Sequence, residues 1–381
     1  MKGFFRSIGE YIKKTDKVLL SLCIGASVYG LLLIYSATHM SSPKQAIVQS
    51  CALLIGLVAA ILISLLDYED ISRFWIFIAL AAVGLMVLTL LIGTGPSGSD
   101  NRAWIMLPGG ISVQTSEILK IAFIITFSRH LARLGDRVSE FKNVVLLGLH
   151  ALIPIALVVA TKDDGTATVF VAIFICMMFA AGVKLRYFLI GGGLMLIAAP
   201  IFWFKILSPY QRDRFLVVYN PEQYDPTGQG LFWQQGQGEI ALGSGQLFGR
   251  GLLQGPRIQG QMVPESHNDF ILSVSGEELG FLGCMAVFLL LAAIFIRILM
   301  VGHRSYSKMG MLICVGIFSQ LAFQAILNAG MVLCLLPVIG VTLPFFSAGG
   351  SSLLTTFINI GLVLSVYIHN QKRMPFLPLD Q

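Results

Sequence analysis

The fold is decided first by residues 18–38, which read VLLSLCIGASVYGLLLIYSAT. About 20 apolar residues, each rising about 1.5 Å along a helix, cross the roughly 30 Å hydrocarbon core of a bilayer. Basic residues precede this run, as they do in a signal peptide. The run is too long for a signal peptide and has no clear small-x-small cleavage site, so we predict a retained first transmembrane helix.

The rest of the chain repeats this pattern. The 381 residues are 56% hydrophobic and 12% charged, whereas an ordinary soluble domain has roughly 25% charged residues. This composition excludes a soluble protein. We predict an all-α integral membrane protein, one polytopic domain over residues 1–381. Its ten transmembrane helices are expected near residues 18–38, 46–66, 74–93, 117–134, 144–161, 166–183, 188–207, 279–302, 308–335 and 348–369.

The basic residues predict the orientation of these spans. With the N-terminus in the cytoplasm, 17 of the 26 Lys and Arg residues fall on the cytoplasmic side. They are Lys2, Arg6, Lys13, Lys14, Lys17, Arg73, Arg129, Arg133, Arg137, Lys142, Lys184, Arg186, Arg297, Arg304, Lys308, Lys372 and Arg373. An excess of Lys and Arg marks cytoplasmic loops, so we expect both termini inside. Because these residues lie between apolar runs and form no exposed stripe, the net charge of +6 does not indicate a nucleic-acid partner.

One connection is much longer than the others. Residues 208–278, which we call the cap, separate spans seven and eight and are too polar to cross a membrane. Loops of this length are usually functional or disordered. Aromatic residues interleaved with Gly and Gln argue against disorder and suit the membrane interface. We therefore expect an ordered extracytoplasmic cap that lies on the bilayer.

Charged residues in or beside the spans are functional candidates by default. Glu117 and Lys120 lie one helical turn apart at the outer start of span four. They form either a structural ion pair or a site with a substrate-facing lysine. Asp163 and Asp164 occupy the turn between spans five and six, where capping of a helix would account for one of the two carboxylates.

The cap carries two further candidate sites. The segment Gly243-Ser-Gly245-Gln-Leu-Phe-Gly249-Arg250-Gly251 is either a loop turn or a backbone cradle for phosphate, assisted by Arg250. The densest cluster of ionisable residues is Glu265, His267, Asp269, Glu277 and Glu278, within 14 residues. Carboxylates in such a cluster serve as a general base or hold a divalent cation.

Basic residues accompany these carboxylates in the cap and at its entry. They are Lys205, Arg212, Arg214, Arg250 and Arg257. Anion-binding groups and proton-accepting groups thus occur in the same loop. This combination suits a lipid substrate that carries phosphate.

Several short motifs follow one another from span three to the end of span ten. They are Arg102-Ala-Trp104; Gln114-Thr-Ser116-Glu117 with Lys120; Asp163-Asp-Gly165-Thr166; Tyr210-Gln-Arg212 with Arg214; Ala241-Leu-Gly243-Ser-Gly245; Gly249-Arg-Gly251; Asp269-Phe-Ile271; Glu277-Glu-Leu-Gly280; and residues 337–352, PVIGVTLPFFSAGGSS. Jointly and in this order they resemble the SEDS (shape, elongation, division and sporulation) family of polytopic proteins, which includes RodA and FtsW.

The resemblance implies a ten-helix fold and a peptidoglycan glycosyltransferase that polymerises lipid II outside the membrane. It also implies a class B penicillin-binding protein as partner, together with other cell-wall synthesis proteins. By position, Asp269 matches the acidic residue proposed as catalytic in the family. The basic positions around the cavity are matched by Arg102, Lys120, Arg212 and Arg214.

The chain departs from the family pattern at a few positions. Thr161-Lys162 precedes Asp163 where the family usually has Gln-Pro. Thr115 stands in place of a usual Pro, Gln246 in place of a Gly, and Asn268 in place of a Thr. These changes affect local turns more than the class of protein.

The chemistry of chain growth agrees with these residues. A sugar hydroxyl attacks an anomeric carbon whose leaving group is a lipid diphosphate, so the enzyme needs a base and cations. We assign Asp269 as the base, and Glu117, Asp163 and Arg250 to substrate binding with the basic residues named above. A divalent cation, Mg²⁺ or Mn²⁺, would join the acidic cluster if one is used.

Two other functions remain as alternatives. A flippase or transporter of a lipid-linked cell-wall precursor predicts a polar path across the bilayer with contacts on both faces. Here the charges within the membrane cluster toward the outer side, which favours catalysis. A scaffold that only activates its partner leaves the charged residues of the cap unexplained. The expected location is the cytoplasmic membrane of a bacterium.

Overall fold

The structure, a computed structural model, describes residues 13–42, 44–95, 102–107 and 111–373. The basic residues Lys2 and Arg6 of the predicted orientation signal lie outside the described residues. The elements are α1 Lys17–Thr38, α2 Lys44–Leu65, α3 Tyr68–Arg73, α4 Trp75–Ile92, β1 Trp104–Leu107, β2 Ile111–Gln114, α5 Thr115–Leu134, α6 Phe141–Ala160, α7 Asp164–Ala180, α8 Leu185–Ile201, α9 Pro209–Leu216, α10 Pro221–Tyr224, α11 Trp233–Ser244, α12 Pro256–Gln259, α13 Ile271–His303, α14 Lys308–Val332 and α15 Gly350–Arg373.

The protein is an all-helical membrane protein apart from one small antiparallel hairpin, β1–β2. Within the described residues, eight helices are long and apolar enough to cross a membrane. Helix α7 is apolar but shorter, and α5 carries Glu117 and Lys120 in its first half. Each of the ten predicted spans falls on one of these ten helices, so the positions of the apolar segments were predicted well. The number that cross the bilayer stays a prediction.

Polar side chains fix where several helices begin. Asp16 accepts a hydrogen bond from the backbone N–H of Leu19 at the start of α1, at 3.1 Å. Ser307 does the same for Gly310 at the start of α14, at 3.0 Å. Such caps satisfy backbone N–H groups that have no partner inside the helix. The short α9 has a reciprocal capping box between Ser208 and Gln211.

The centre of the bundle is formed by α14 and α15, the two most buried of the candidate spans. Helix α15 packs along α2, and the two backbones approach closely at Gly361. A Cβ on Gly361 would lie 2.8 Å from the carbonyl oxygen of Ala60. Between α14 and α15 the amide of Asn359 donates to Gln320 at 3.1 Å. Helix α8, in contrast, has no buried residue among Leu185–Ile201.

Polar contacts define two ends of the bundle. At the cap end, Gln49 donates to the Ser347 carbonyl at 3.1 Å, and Arg102 N–H donates to the Thr161 carbonyl at 3.1 Å. At the opposite end, Arg297 and Asp16 form an ion pair at 2.7 Å. The order of the elements along the chain places the cap, the β1–β2 hairpin and the turn before α7 at the same end of the bundle, which we call the cap end.

The cap contains four short helices, α9 to α12, and the first turns of α13. Span eight is predicted to begin at residue 279, whereas α13 begins at Ile271. Gly280 explains the difference, because its φ of 69° and ψ of −162° interrupt the helix. A Cβ at this position would collide with the backbone nitrogen of Gly249. Residues 271–279 therefore form a separate helical segment between the cap and the rest of α13, in which residues 271–278 are buried.

Candidate active site

Asp163 lies at the start of α7, facing the end of the β1–β2 hairpin. One carboxylate oxygen accepts from the backbone N–H of Thr166 at 3.1 Å. The other accepts from the side-chain amide of Gln114 at 2.9 Å. Asp163 therefore caps α7 and joins it to the hairpin, and its side chain is buried.

Asp269 is held at the cap end by α14 and the segment that follows it. Its backbone carbonyl accepts from the side-chain amide of Asn328 at 2.8 Å, and the same amide donates to the Val341 carbonyl at 2.8 Å. A Cβ on Gly340 would lie 3.8 Å from the Asp269 carboxylate. Among the described residues no side chain or backbone N–H donates to this carboxylate, which remains partly exposed.

The two aspartates influence each other although more than 100 residues separate them in the sequence. Burial raises the pKa of Asp269 to about 7, and the neighbouring carboxylates of Glu265 and Asp163 contribute to the rise. Burial also raises the pKa of Asp163, against the hydrogen bonds from Thr166 and Gln114 and the positive charge of Lys120. A carboxylate with a pKa near neutrality is suited to accept a proton at physiological pH.

Glu117 and Lys120 form a buried ion pair near this site. The distance from Lys120 Nζ to Glu117 Oε1 is 2.8 Å, and both side chains are almost completely buried. Glu117 also accepts from the hydroxyl of Thr355 at 3.3 Å. The structural ion pair considered from the sequence is therefore present. Lys120 retains an electrostatic effect on Asp163, so the pair belongs to the same polar cluster.

The arginines predicted to bind substrate lie in several places. Arg212 and Arg214 are on α9, and Arg250 is exposed, donating through Nε to the Ser244 carbonyl at 3.0 Å. Arg102 is exposed beside the turn that carries Asp163. In the part of the chain that the structure describes, none of these four forms an ion pair with Asp163 or Asp269.

Glu277 and Glu278, considered from the sequence as base or metal ligands, have their oxygen atoms occupied by the cap. Glu277 accepts from the backbone N–H groups of Arg257 at 3.1 Å and Ile258 at 2.9 Å. Glu278 accepts from Ser36 at 2.5 Å and Gln259 at 2.7 Å. Both are completely buried. These carboxylates brace the cap against α1 and α13.

Sequence reasoning did not single out Asn328. Its position inside an apolar helix was a usable signal, since polar side chains within spans are uncommon and costly. The described residues contain no group of three or more His, Cys, Asp or Glu side chains arranged to hold a metal ion.

The family profile that covers FtsW, RodA and SpoVE, described as cell cycle proteins, matches residues 17–372. The chain belongs to this family. It is 32% identical to the probable peptidoglycan glycosyltransferase FtsW of Geobacter metallireducens, over 93% of this chain and 95% of the relative. It is 33% identical to the stage V sporulation protein E of Bacillus subtilis, over 93% of this chain and 98% of the relative.

A solved structure gives the same result for the fold. It is described as "Structural coordination of polymerization and crosslinking by a peptidoglycan synthase complex". The similar chain in it has a TM-score of 0.81 and is 28% identical, with 93% of this chain and 98% of that chain covered.

Proposed function

We propose that this protein is a peptidoglycan glycosyltransferase of the bacterial cytoplasmic membrane, the activity for which its FtsW relative is named. The observation that carries the proposal is the Asp269 carboxylate. It has a pKa of about 7, is partly exposed at the cap end and lies beside Asp163 and Gly340. Its environment suits a general base at a membrane surface.

The proposed topology has ten transmembrane helices, both termini in the cytoplasm and the cap outside. It is supported by ten helices at the predicted spans and by the distribution of Lys and Arg. Reporters fused after Arg137 and after Lys308 should behave as cytoplasmic, and one near Gln229 as external. An internal signal from Gln229 would contradict the site assignment, because the polymer is built outside.

The proposed substrate is lipid II, a disaccharide peptide on an undecaprenyl diphosphate. A sugar hydroxyl attacks the anomeric carbon, a new C–O bond forms, and the bond to the diphosphate breaks. Asp269 accepts the hydroxyl proton, and the lipid diphosphate leaves with the bonding electron pair. Lys120, Arg102, Arg212, Arg214 and Arg250 supply positive charge for that leaving group.

A divalent cation fits part of this site. Mg²⁺ is often held by one or two carboxylates plus substrate phosphates. Asp163 and Asp269 are two carboxylates of this site whose negative charges repel each other. Asp163, which is not the assigned base, would hold Mg²⁺ or Mn²⁺ together with the substrate diphosphate, and the ion would neutralise charge on that diphosphate.

The proposed partner is a class B penicillin-binding protein. Support comes from the similar chain in the peptidoglycan synthase complex, whose description couples polymerization to crosslinking. Copurification of the two proteins from membranes would test this association directly.

The function is tested by polymerisation of lipid II. Purified protein is assayed with and without its partner, in the presence of an inhibitor of the unrelated soluble-domain glycosyltransferases. We expect glycan strands from the native chain and from Glu222→Gln, an exposed cap variant with the same loss of charge. Asp269→Asn should fold and bind lipid II but form almost no polymer. Polymer from Asp269→Asn would refute the assignment, and vesicle translocation of lipid II without polymerisation would favour the transporter.

A further inference from the structure

A basic cavity lies at the opposite end of the bundle, remote from the candidate active site. It has a volume of about 280 Å³ and lies between α3, the end of α5 and the start of α14. Three arginines line it: Arg73, Arg129 and Arg133. This volume is just below the roughly 300 Å³ at which pockets for small-molecule ligands begin. The cavity therefore has room for one ionic headgroup.

The fold holds one of these arginines in a fixed position. Arg129 donates through Nη1 to the Ser72 hydroxyl at 2.7 Å, which joins the end of α5 to α3. Its Nε is buried and has no acceptor among the described residues. An unpartnered N–H of a charged group is costly, so the protein alone does not satisfy the hydrogen-bonding capacity of this guanidinium.

The charge around the cavity is not balanced by acidic residues. Glu69 also lines it, and Asp70 pairs with Arg73 at 3.2 Å in a largely exposed ion pair. Exposed pairs of this kind hold their partners weakly. Arg133 is exposed and forms no ion pair within the described residues. Two arginines on one helix face and a third from another helix thus line the same cavity, together with one carboxylate.

Orientation signals alone do not require this arrangement, because the positive-inside rule depends on the number of basic residues in a loop and not on their mutual geometry. Arginine binds phosphate oxygens through paired N–H groups. Basic pockets between transmembrane helices on the cytoplasmic side are known to bind lipid phosphate groups. Ala132 and Met309 add an apolar side to the cavity, which suits a headgroup attached to acyl chains.

We propose that this cavity binds a phosphate group, supplied by an anionic phospholipid of the cytoplasmic leaflet under the topology proposed above. The binding is separate from polymerisation at the cap end and does not depend on Asp269. Arg129 and Arg133 contact the phosphate oxygens, and Arg73 completes the site from α3.

The test uses the full chain purified in neutral detergent. Short-chain phosphatidylglycerol, short-chain phosphatidylcholine and inorganic phosphate are titrated separately, and binding is followed by native mass spectrometry and by thermal unfolding. The variants are Arg129→Gln and Arg133→Gln, with Arg137→Gln as the matched control, since Arg137 lies at the same end outside the cavity. Because the Arg133 side chain is exposed, Arg133→Gln should fold even if Arg129→Gln does not.

We expect phosphatidylglycerol to bind and phosphatidylcholine not to bind. Arg133→Gln should weaken phosphatidylglycerol binding by at least about tenfold, as loss of a charge-assisted contact implies, while Arg137→Gln changes it little. Displacement of the lipid by inorganic phosphate would assign the site to phosphate from either source, and absence of displacement would assign it to the lipid. Equal loss in Arg137→Gln, or equal binding of both lipids, would refute the proposal. Binding of a polyglutamate peptide, but not of phosphatidylglycerol, would replace it with a protein partner.

Discussion

Glycan polymerisation should depend on pH through the ionisation of Asp269. The pKa of this carboxyl is raised from 3.8 to about 7, and only the ionised form can accept the proton of a sugar hydroxyl. Turnover should therefore reach a plateau above pH 8 and fall below pH 7. At pH 6 about one tenth of the Asp269 side chains are ionised, so the rate should be about tenfold below the plateau.

The same pKa shift predicts an effect on stability. The folded state binds the Asp269 proton more tightly than the unfolded chain, so the free energy of unfolding decreases as pH rises from about 4 to about 7. A shift from 3.8 to about 7 corresponds to about 4 kcal/mol at 1.36 kcal/mol per pH unit. Partial exposure of the side chain reduces the expected cost to about 1–2 kcal/mol. At pH 8, Asp269→Asn should therefore be more stable than the native chain, and this difference should be smallest near pH 4.

The assay is lipid II polymerisation by the purified protein between pH 5.5 and 9, with thermal unfolding measured in the same buffers. Glu265→Gln is the informative second variant, because it removes a negative charge that raises the Asp269 pKa. Its midpoint should move to lower pH while the plateau remains. A pH profile that is flat across the range, or a midpoint that does not respond to Glu265→Gln, would refute this reasoning.

Three further predictions concern stability and charge. Lys120→Gln should lower the yield of folded protein in size-exclusion chromatography, since breaking a buried ion pair costs about 3–5 kcal/mol. Glu117→Gln combined with Lys120→Gln should restore this yield but should not restore lipid II turnover. Gln246→Gly should raise the thermal stability by about 1 kcal/mol, because Gln246 has a φ of 52° that glycine adopts without strain; an unchanged melting temperature would contradict this. Glu277→Gln should destabilise the chain by about 1–3 kcal/mol. The single amide oxygen replaces two carboxylate acceptors, and the new NH₂ group faces one of the backbone N–H groups of Arg257 and Ile258. Faster protease digestion of the cap would reveal this change.

The positions of the helices were predictable from the sequence because each apolar run is about as long as a bilayer is thick. The helical segment before Gly280 and the break at Gly280 were not predictable, since two glutamates precede the apolar run there and the interruption depends on the close approach of Gly249. The sequence motif Glu277-Glu278-Leu-Gly280 was visible. Its role in bracing the cap depends on backbone N–H groups from residues 257 and 258, which only the fold brings near.

The candidate site was only partly predictable, because its motifs are visible in the sequence but the contacts between them depend on the fold. Asp163 and Asp269 were singled out separately from the sequence. Asp163 was considered as a helix-capping or substrate-binding residue, and Asp269 as the base. Their electrostatic interaction depends on how the turn before α7 meets the end of the cap, and no local pattern encodes that distance. Gln114 was recognised as part of a motif, but its hydrogen bond to Asp163 was not.

The carboxylates at the cap end differ in how well their hydrogen-bonding capacity is satisfied. Glu277 and Glu278 accept from backbone and side-chain donors, and Asp163 accepts from Thr166 and Gln114. These bonds occupy the oxygen atoms of Glu277 and Glu278, and at Asp163 they oppose the rise in pKa that burial causes. Asp269 has no such donor within the described part of the chain, and burial with like charges raises its pKa. A partly buried carboxylate without donors lowers stability, whereas a substrate hydroxyl would supply the missing donor and then its proton. The arrangement therefore favours Asp269 as the base over its better-satisfied neighbours.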